Sequence, residues 1–321
     1  SFYSAPSRIG YPAEISIRTA GTKMAASESF KAGRTALWAD IAVLGVALVW
    51  GASYPVAKGA LAYMPVLLLI FYRFALTALV MTAVAHRDLR AIRRDDLLAG
   101  ALLGSILFAI FLAETWGVSM TSATNTALII SLCTIFTPFL EFGLQRRSPP
   151  AGVIAGAVVA VAGVMVLSGG MGTLGTGDLL VLCAAGLRAV MVVSTKRLMH
   201  GRSLSSAALT AIQAATVAGL TMAVILGQSG PAGLLVEADI GGWAAVAFLA
   251  LFCTVGAFYV QNAAVRRTSP TRVSFLMGTE PLFGFALAWA LLSEPATPTA
   301  LIGAGLIVGG TFLGLAVERH R

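Results

Sequence analysis

Ten apolar runs of about 20 residues, joined by short connections, constrain this chain more than any other feature. They lie near residues 38–60, 65–85, 97–117, 121–144, 151–169, 178–198, 204–227, 243–265, 270–292 and 298–317. A helix rising ~1.5 Å per residue crosses a ~30 Å hydrocarbon layer in about 20 residues. Each run is therefore read as a membrane-spanning helix, and the fold class is an all-α polytopic membrane protein with ten transmembrane helices. The connections are too short for an extramembrane catalytic domain. Composition agrees: 58% of residues are hydrophobic and 11% charged, against roughly 25% charged in soluble proteins. Residues 1–37 are polar and mixed and lack the apolar core of a secretory signal. They read as a flexible cytoplasmic tail, or as residues ahead of a native start at Met24.

Charge fixes the expected orientation. Nineteen of the 22 Lys and Arg residues fall on one side: Arg8, Arg18, Lys23, Lys31 and Arg34 in the tail, then Arg87, Arg90, Arg93, Arg94, Arg146, Arg147, Lys196, Arg197, Arg202, Arg266, Arg267, Arg272, Arg319 and Arg321. The alternate loops hold none, and Lys58, Arg73 and Arg188 fall within spans. Basic loops stay cytoplasmic, so both termini are expected inside. The net charge of +8 is then a topology signal, and no nucleic-acid partner is expected. Cys133, Cys183 and Cys253 lie inside apolar runs without a CxxC spacing and read as packing residues, with no metal site.

The halves resemble each other. A shift of 147 residues aligns 113–167 with 260–314 with eleven identities, bringing Thr121-Ser122-Ala123-Thr124 onto Thr268-Ser269-Pro270-Thr271, Gly156-Ala157 onto Gly303-Ala304 and Gly163 onto Gly310. Because each half holds five spans, the second enters from the opposite side. The expected organisation is an inverted repeat, 38–169 and 178–317, with a substrate site near the midplane between halves.

The run Trp50-Gly51-x-x-x-Pro55-x-x-Lys58, with Arg73, Thr121-Ser122-Ala123, Glu280-Pro281, Glu294 and Gly303-Ala304-x-x-x-x-Gly309-Gly310, resembles the EamA-type proteins of the drug/metabolite transporter superfamily. Residues ~38–317 share the likeness, and within the family it is greatest to the aromatic amino-acid exporters. The resemblance implies ten helices around a central cavity and inner-membrane export of small metabolites. The halves also differ: Thr134 stands where the second half has Pro281, and Arg147 where it has Glu294.

Charged residues at membrane depth cost ~2.5–3.5 kcal/mol each on insertion scales, so each needs a reason. Arg73 lies ~12 Å deep in the second span and Arg188 at similar depth in the sixth. Glu280 is about eight residues into the ninth. They read either as the lining of a hydrated cavity or as interhelical ion pairs, with Arg188 and Glu280 able to pair. Glu114, Glu141 and Lys58 sit near span ends, where long side chains reach the interface. Glu114 also has a polar repeat mate, Gln261. Trp38, Trp116, Trp243 and Trp289 lie near span ends, as interface aromatics do. Trp50 is instead ~18 Å into the first span, and Trp50, Tyr54 and Lys58 share one helix face. The substrate-binding candidates are Trp50, Tyr54, Glu114, Arg188, Gln261 and Glu280, with helix packing as the alternative role. Gly152-x-x-x-Gly156 and Gly305-x-x-x-Gly309 read as close-packing stripes, within a monomer or, alternatively, at a homodimer contact.

The chain lacks the phosphate-binding GxxxxGK[ST] of ATP-driven pumps and any Ser/His/Asp or HExxH set at membrane depth. The reading is a non-enzymatic secondary transporter without cofactor. It works by alternating access and exports small amphipathic metabolites, neutral or aromatic amino acids first. Substrate class and direction follow from the resemblance. The alternatives are a passive channel or facilitator, or a carrier for drugs, nucleosides or sugar phosphates. Transport is expected to be uncoupled, with Glu280 as the proton site if it is not.

Overall fold

The computed structural model describes residues 37–167, 175–236, 238–292 and 297–319. The expected tail up to residue 36, Glu294 and the Trp289 side chain lie outside the described residues. Asp40–Arg321 forms one packed unit, and every regular element described in it is helical.

In chain order the helices are α1 Leu37–Ala60, α2 Val66–Val84 and α3 Arg94–Met120. Next come α4, in two pieces Ala123–Ile130 and Cys133–Leu144, and α5 Ala151–Leu167. The second half has α6 Thr176–Leu198, α7 Ser206–Ser229 and α8, running through Ile240–Arg267. It closes with α9, in pieces Pro270–Met277 and Glu280–Leu292, and α10 Pro298–Arg319. Among the described residues eight helices are long and apolar enough to cross a membrane, and α5, at 17 residues, is a shorter apolar helix. The chain is a multi-pass helical membrane protein.

Sequence sets the helix starts. Ser122, Ser205, Asp239 and Ser269 each accept a hydrogen bond from the backbone N–H three residues on, satisfying a donor that the first turn leaves free. The ends then run beyond the apolar runs. α3 extends to Met120 rather than stopping near residue 117, which leaves Glu114 well inside the helix.

The first expected span is interrupted by a turn at Ala52; two others are broken, at places that correspond. The first piece of α4 ends at Ile130 and the second starts at Cys133; 147 residues on, α9 ends its first piece at Met277 and restarts at Glu280. At both breaks the chain tightens into i to i−3 hydrogen bonds, Leu132 N to Ile129 O at 3.1 Å and Thr279 N to Leu276 O at 3.3 Å. Short 3₁₀ turns of this kind mark hinges and helix ends. A different irregularity interrupts α8, where Leu251–Gly256 winds as a π-helix.

Helices α5 and α10 meet through glycine. A Cβ on Gly156 would lie 2.8 Å from Gly310 O and 2.6 Å from Gly314 N. One on Gly163 would lie 2.8 Å from Gly303 O and 2.6 Å from Ile307 N. Rising numbers on α5 meet falling numbers on α10, so the two helices are antiparallel and in backbone contact. The expected stripe is corrected on α10: Gly303, Gly310 and Gly314 make the contact, while Gly305 and Gly309 face open space. Both sets of glycines exist in the sequence, and only the inward one finds a partner among the described residues.

Polar ties hold the helix ends. At one end the Arg272 guanidinium forks onto both oxygens of Asp40, joining α9 to α1. Nearby, Arg202 pairs with Asp96 at 2.7 Å, and Glu141 accepts from the Thr271 N–H and hydroxyl at 2.9 and 2.6 Å. Glu141 is thus buried against the start of α9 rather than reaching the interface. At the other end, Lys58 donates to the carbonyls of Val118 and Thr121 at 2.7 and 2.6 Å. Beside it the Thr121 hydroxyl donates to Asp178 at the start of α6.

Candidate functional site

Four helices converge on Arg188 of α6. Its Nε and Nη2 donate to one oxygen of Glu114, on α3, at 3.1 and 2.7 Å. Its Nη1 stands 3.8 Å from Glu280, on α9, too far for a hydrogen bond. Nη2 also reaches the Tyr54 hydroxyl at 3.5 Å, and the guanidinium carbon lies 4.9 Å from the centre of the Trp50 ring, both on α1. The last helix, α8, brings Phe258 and Gln261. Trp50, Tyr54, Glu114, Gln261 and Glu280 are all buried.

The long α3 gives Glu114 its place: it sits almost two turns before the helix end, facing α6, instead of at the interface. The break in α9 gives Glu280 its place, in the first turn of the second piece, where the positive end of a helix dipole favours a carboxylate. Pro281 follows at the second position of that piece, where no intrahelical donor is lost. The Arg188 charge is held chiefly by Glu114, with Glu280 as a looser second partner. Removing either side of such a buried pair strands a charge, a loss of about 3–5 kcal/mol.

An apolar wall flanks these charges. Trp50, Phe258, Phe111 and Phe74 form a chain of tilted and edge-on rings with centroids 5.4, 5.9 and 4.6 Å apart. A small cavity of about 10 Å³ lies along it, lined by Trp50, Leu107, Phe111, Arg188, Phe258 and Gln261 among others, room for about one water. Two buried oxygens in this region have no hydrogen-bond partner among the described residues, Glu280 Oε1 and Gln261 Oε1. An unmade hydrogen bond in such surroundings costs about 1–3 kcal/mol.

Arg73 stands behind the wall. Its Nε donates to the Thr254 hydroxyl at 2.6 Å, and its guanidinium carbon lies 4.6 Å from the Phe111 ring centre. The π turn explains this placement. It presents the Cys253 carbonyl to two donors at once, the Trp50 indole N–H at 2.8 Å and Arg73 Nη2 at 3.4 Å. Among the described residues no carboxylate lies within ion-pair distance of Arg73, so cation–π contact and neutral acceptors hold it. The sequence marked Arg73 by its depth but carried no signal for the π turn, whose acceptors are defined only by donors about 180 and 203 residues away.

A chain that crosses a membrane repeatedly and encloses a charged, aromatic-walled site at mid-helix has the build of a membrane transporter. The family model of EamA-like transporters matches residues 37–169 and again 175–315. The chain belongs to this family. Among its relatives, an uncharacterized transporter of Archaeoglobus fulgidus is 26% identical over 278 residues, covering 85% of this chain and 84% of the relative. A probable terminal-alkyne amino-acid exporter of Streptantibioticus cattleyicolor is 25% identical over 284 residues, covering 87% and 92%. A solved crystal structure shares the fold with a TM-score of 0.72 at 19% identity, over 88% of this chain and 98% of the other.

Proposed function

We propose that this protein is a secondary transporter that exports small amphipathic metabolites, neutral or aromatic amino acids first, by alternating access across the inner membrane. The observation that carries the reading is Arg188, enclosed between two carboxylates and an aromatic wall. Such a site offers a charged end and an apolar surface to one ligand. The name of the Streptantibioticus relative, an amino-acid exporter, supports the substrate class.

The architecture proposed is ten transmembrane helices in two inverted five-helix repeats, 38–169 and 178–317, with both termini cytoplasmic. Several observations support it. The family model matches once in each half. The breaks of α4 and α9 coincide under the 147-residue shift. The contact of Gly156 with Gly310 becomes, when each residue is replaced by its repeat mate, the contact of Gly303 with Gly163, which is also present. A pair that maps onto itself while its helices run antiparallel is what a two-fold axis in the membrane plane produces. The one-sided distribution of Lys and Arg supports the orientation. The partners are the lipid bilayer and the small-molecule substrate, taken by a monomer.

The test is counterflow in liposomes holding the purified protein and a panel of unlabelled metabolites. Loading with neutral or aromatic amino acids should drive uptake of the labelled compound, saturably. Saturable counterflow of nucleosides or sugar phosphates alone would overturn the substrate class, and flux that never saturates would overturn the carrier.

A further inference from the structure

We propose that the Arg188 site reads both ends of an α-amino-acid zwitterion, and so excludes amines and carboxylic acids that share the same side chain. The inference rests on the amino-acid reading above and adds which groups recognise which end. The substrate carboxylate takes Arg188 Nη1. The substrate ammonium takes Glu280 Oε1 and Gln261 Oε1. The apolar side chain lies along Trp50, Phe111 and Phe258.

The unused hydrogen-bonding capacity carries the argument. A guanidinium has five N–H donors. Glu114 occupies Nε and one face of Nη2, while Nη1 makes no hydrogen bond among the described residues. On the acceptor side, Glu280 Oε1 and Gln261 Oε1 are buried without partners among the described residues. Gln261 borders the same cavity as Arg188, and Glu280 lies 3.8 Å from Nη1. Free donors beside free acceptors are the complement of a ligand with an anionic oxygen and an ammonium on adjacent atoms. A ligand with only one of these satisfies one side and leaves the other unmet.

The charge inventory points the same way. Arg188 and Arg73 supply two buried cations to the aromatic wall, one on the Trp50 face and one on the Phe111 face. Glu114 and Glu280 supply two buried anions. With all four ionised the region is neutral. A net-charged ligand would leave an uncompensated charge where burial makes it costly, whereas a zwitterion adds none. Arg73 acts here as the balancing cation, which accounts for a buried arginine with no carboxylate within ion-pair distance among the described residues.

The experiment uses the full chain in liposomes, measuring counterflow of labelled phenylalanine and its inhibition by phenethylamine and by 3-phenylpropionate. Each analogue keeps the ring and lacks one charged group. Both should inhibit at least about tenfold more weakly than unlabelled phenylalanine, as the loss of a buried charge-assisted contact implies. Glu280→Gln keeps the shape and removes the anion. It should weaken phenylalanine by about tenfold or more while 3-phenylpropionate changes little, so the gap between them closes. Gln261→Met should narrow the same gap, and it serves if Glu280→Gln does not yield a monodisperse protein. The proposal is overturned if either analogue matches phenylalanine on the wild type, or if the variants weaken all three ligands equally. Absence of any amino-acid counterflow refutes the functional reading itself, a distinct outcome from a carrier that moves amino acids and amines alike.

Discussion

Gly310→Ala and Gly305→Ala add the same methyl group to the same helix and should act with opposite sign. At Gly310 the new Cβ would sit 2.6 Å from Gly156 O, where ordinary contact begins at 3.4 Å. It also overlaps the backbone N of Ala160. The obstacle is backbone, which has no rotamer to yield, so α5 and α10 must separate locally by at least about 0.8 Å, the difference of those distances. A gap of ~0.5–1 Å forfeits a quarter to a half of each facing contact, and overpacked interiors lose about 1–3 kcal/mol. At Gly305 nothing lies within 4 Å. There the change only removes the flexibility of a helical glycine, a gain of about 0.5–1 kcal/mol. Thermal unfolding of both variants in the same detergent, followed by loss of the monodisperse peak, reads the difference. Gly310→Ala should melt below wild type, by about 5 °C at ~2–4 °C per kcal/mol, and Gly305→Ala at or above it. Equal destabilisation by the two would mean that the Gly305 face is packed as tightly as the Gly310 face, and the one-sided contact assigned here would be wrong.

Further substitutions probe the ends and the centre. Asp40→Asn removes the anion from the fork with Arg272, whose side chains are 11% and 13% exposed; at that burial a loss of about 1–3 kcal/mol is expected. A cycle with Arg272→Gln should show the two changes to be strongly non-additive, and simple additivity would deny the pair any role. Trp50→Phe deletes the indole N–H that reaches Cys253 O but keeps a ring beside Arg188. It should cost about 0.6 kcal/mol of stability and preserve counterflow, whereas Trp50→Ala should lose counterflow with folded protein intact. Unchanged kinetics in Trp50→Ala would assign the residue to packing alone.

The helices were legible because the pattern that defines them is local. An apolar run of the right length in the absence of polar interruption has one stable outcome in a bilayer, and Ser122 and Ser269 announce the starts of α4 and α9 by their caps. Trp50, Arg188 and Glu280 stood out because depth makes polar and amphipathic groups expensive, whatever they touch. What stayed hidden depends on partners far along the chain. Glu114 looked peripheral because the apolar run ends before the helix does, and its partner lies 74 residues away. The π turn of α8 has no local signature; its carbonyl is claimed by Trp50 and Arg73 from other helices. Of the two sets of glycines on α10, spacing alone favoured Gly305 and Gly309, and the presence of α5 on the other side makes Gly303 and Gly310 the contact. The helix breaks were half visible, since Glu280-Pro281 marks a restart in α9 while Ser131-Leu132 in α4 carries no such sign.

The glycine seam also has a kinematic consequence. One of its helices belongs to each half, and backbone rests on backbone at Gly156, Gly163, Gly303 and Gly310. Sliding along such a seam would drive carbonyls over one another, and opening it would discard the contact entirely. The displacement it tolerates is rotation about its own length. If the halves rock, α5 and α10 therefore serve as the axle, and the distance any residue travels grows with its distance from them. In such a motion groups beside the axle would keep their neighbours, and those on its far rim would exchange them.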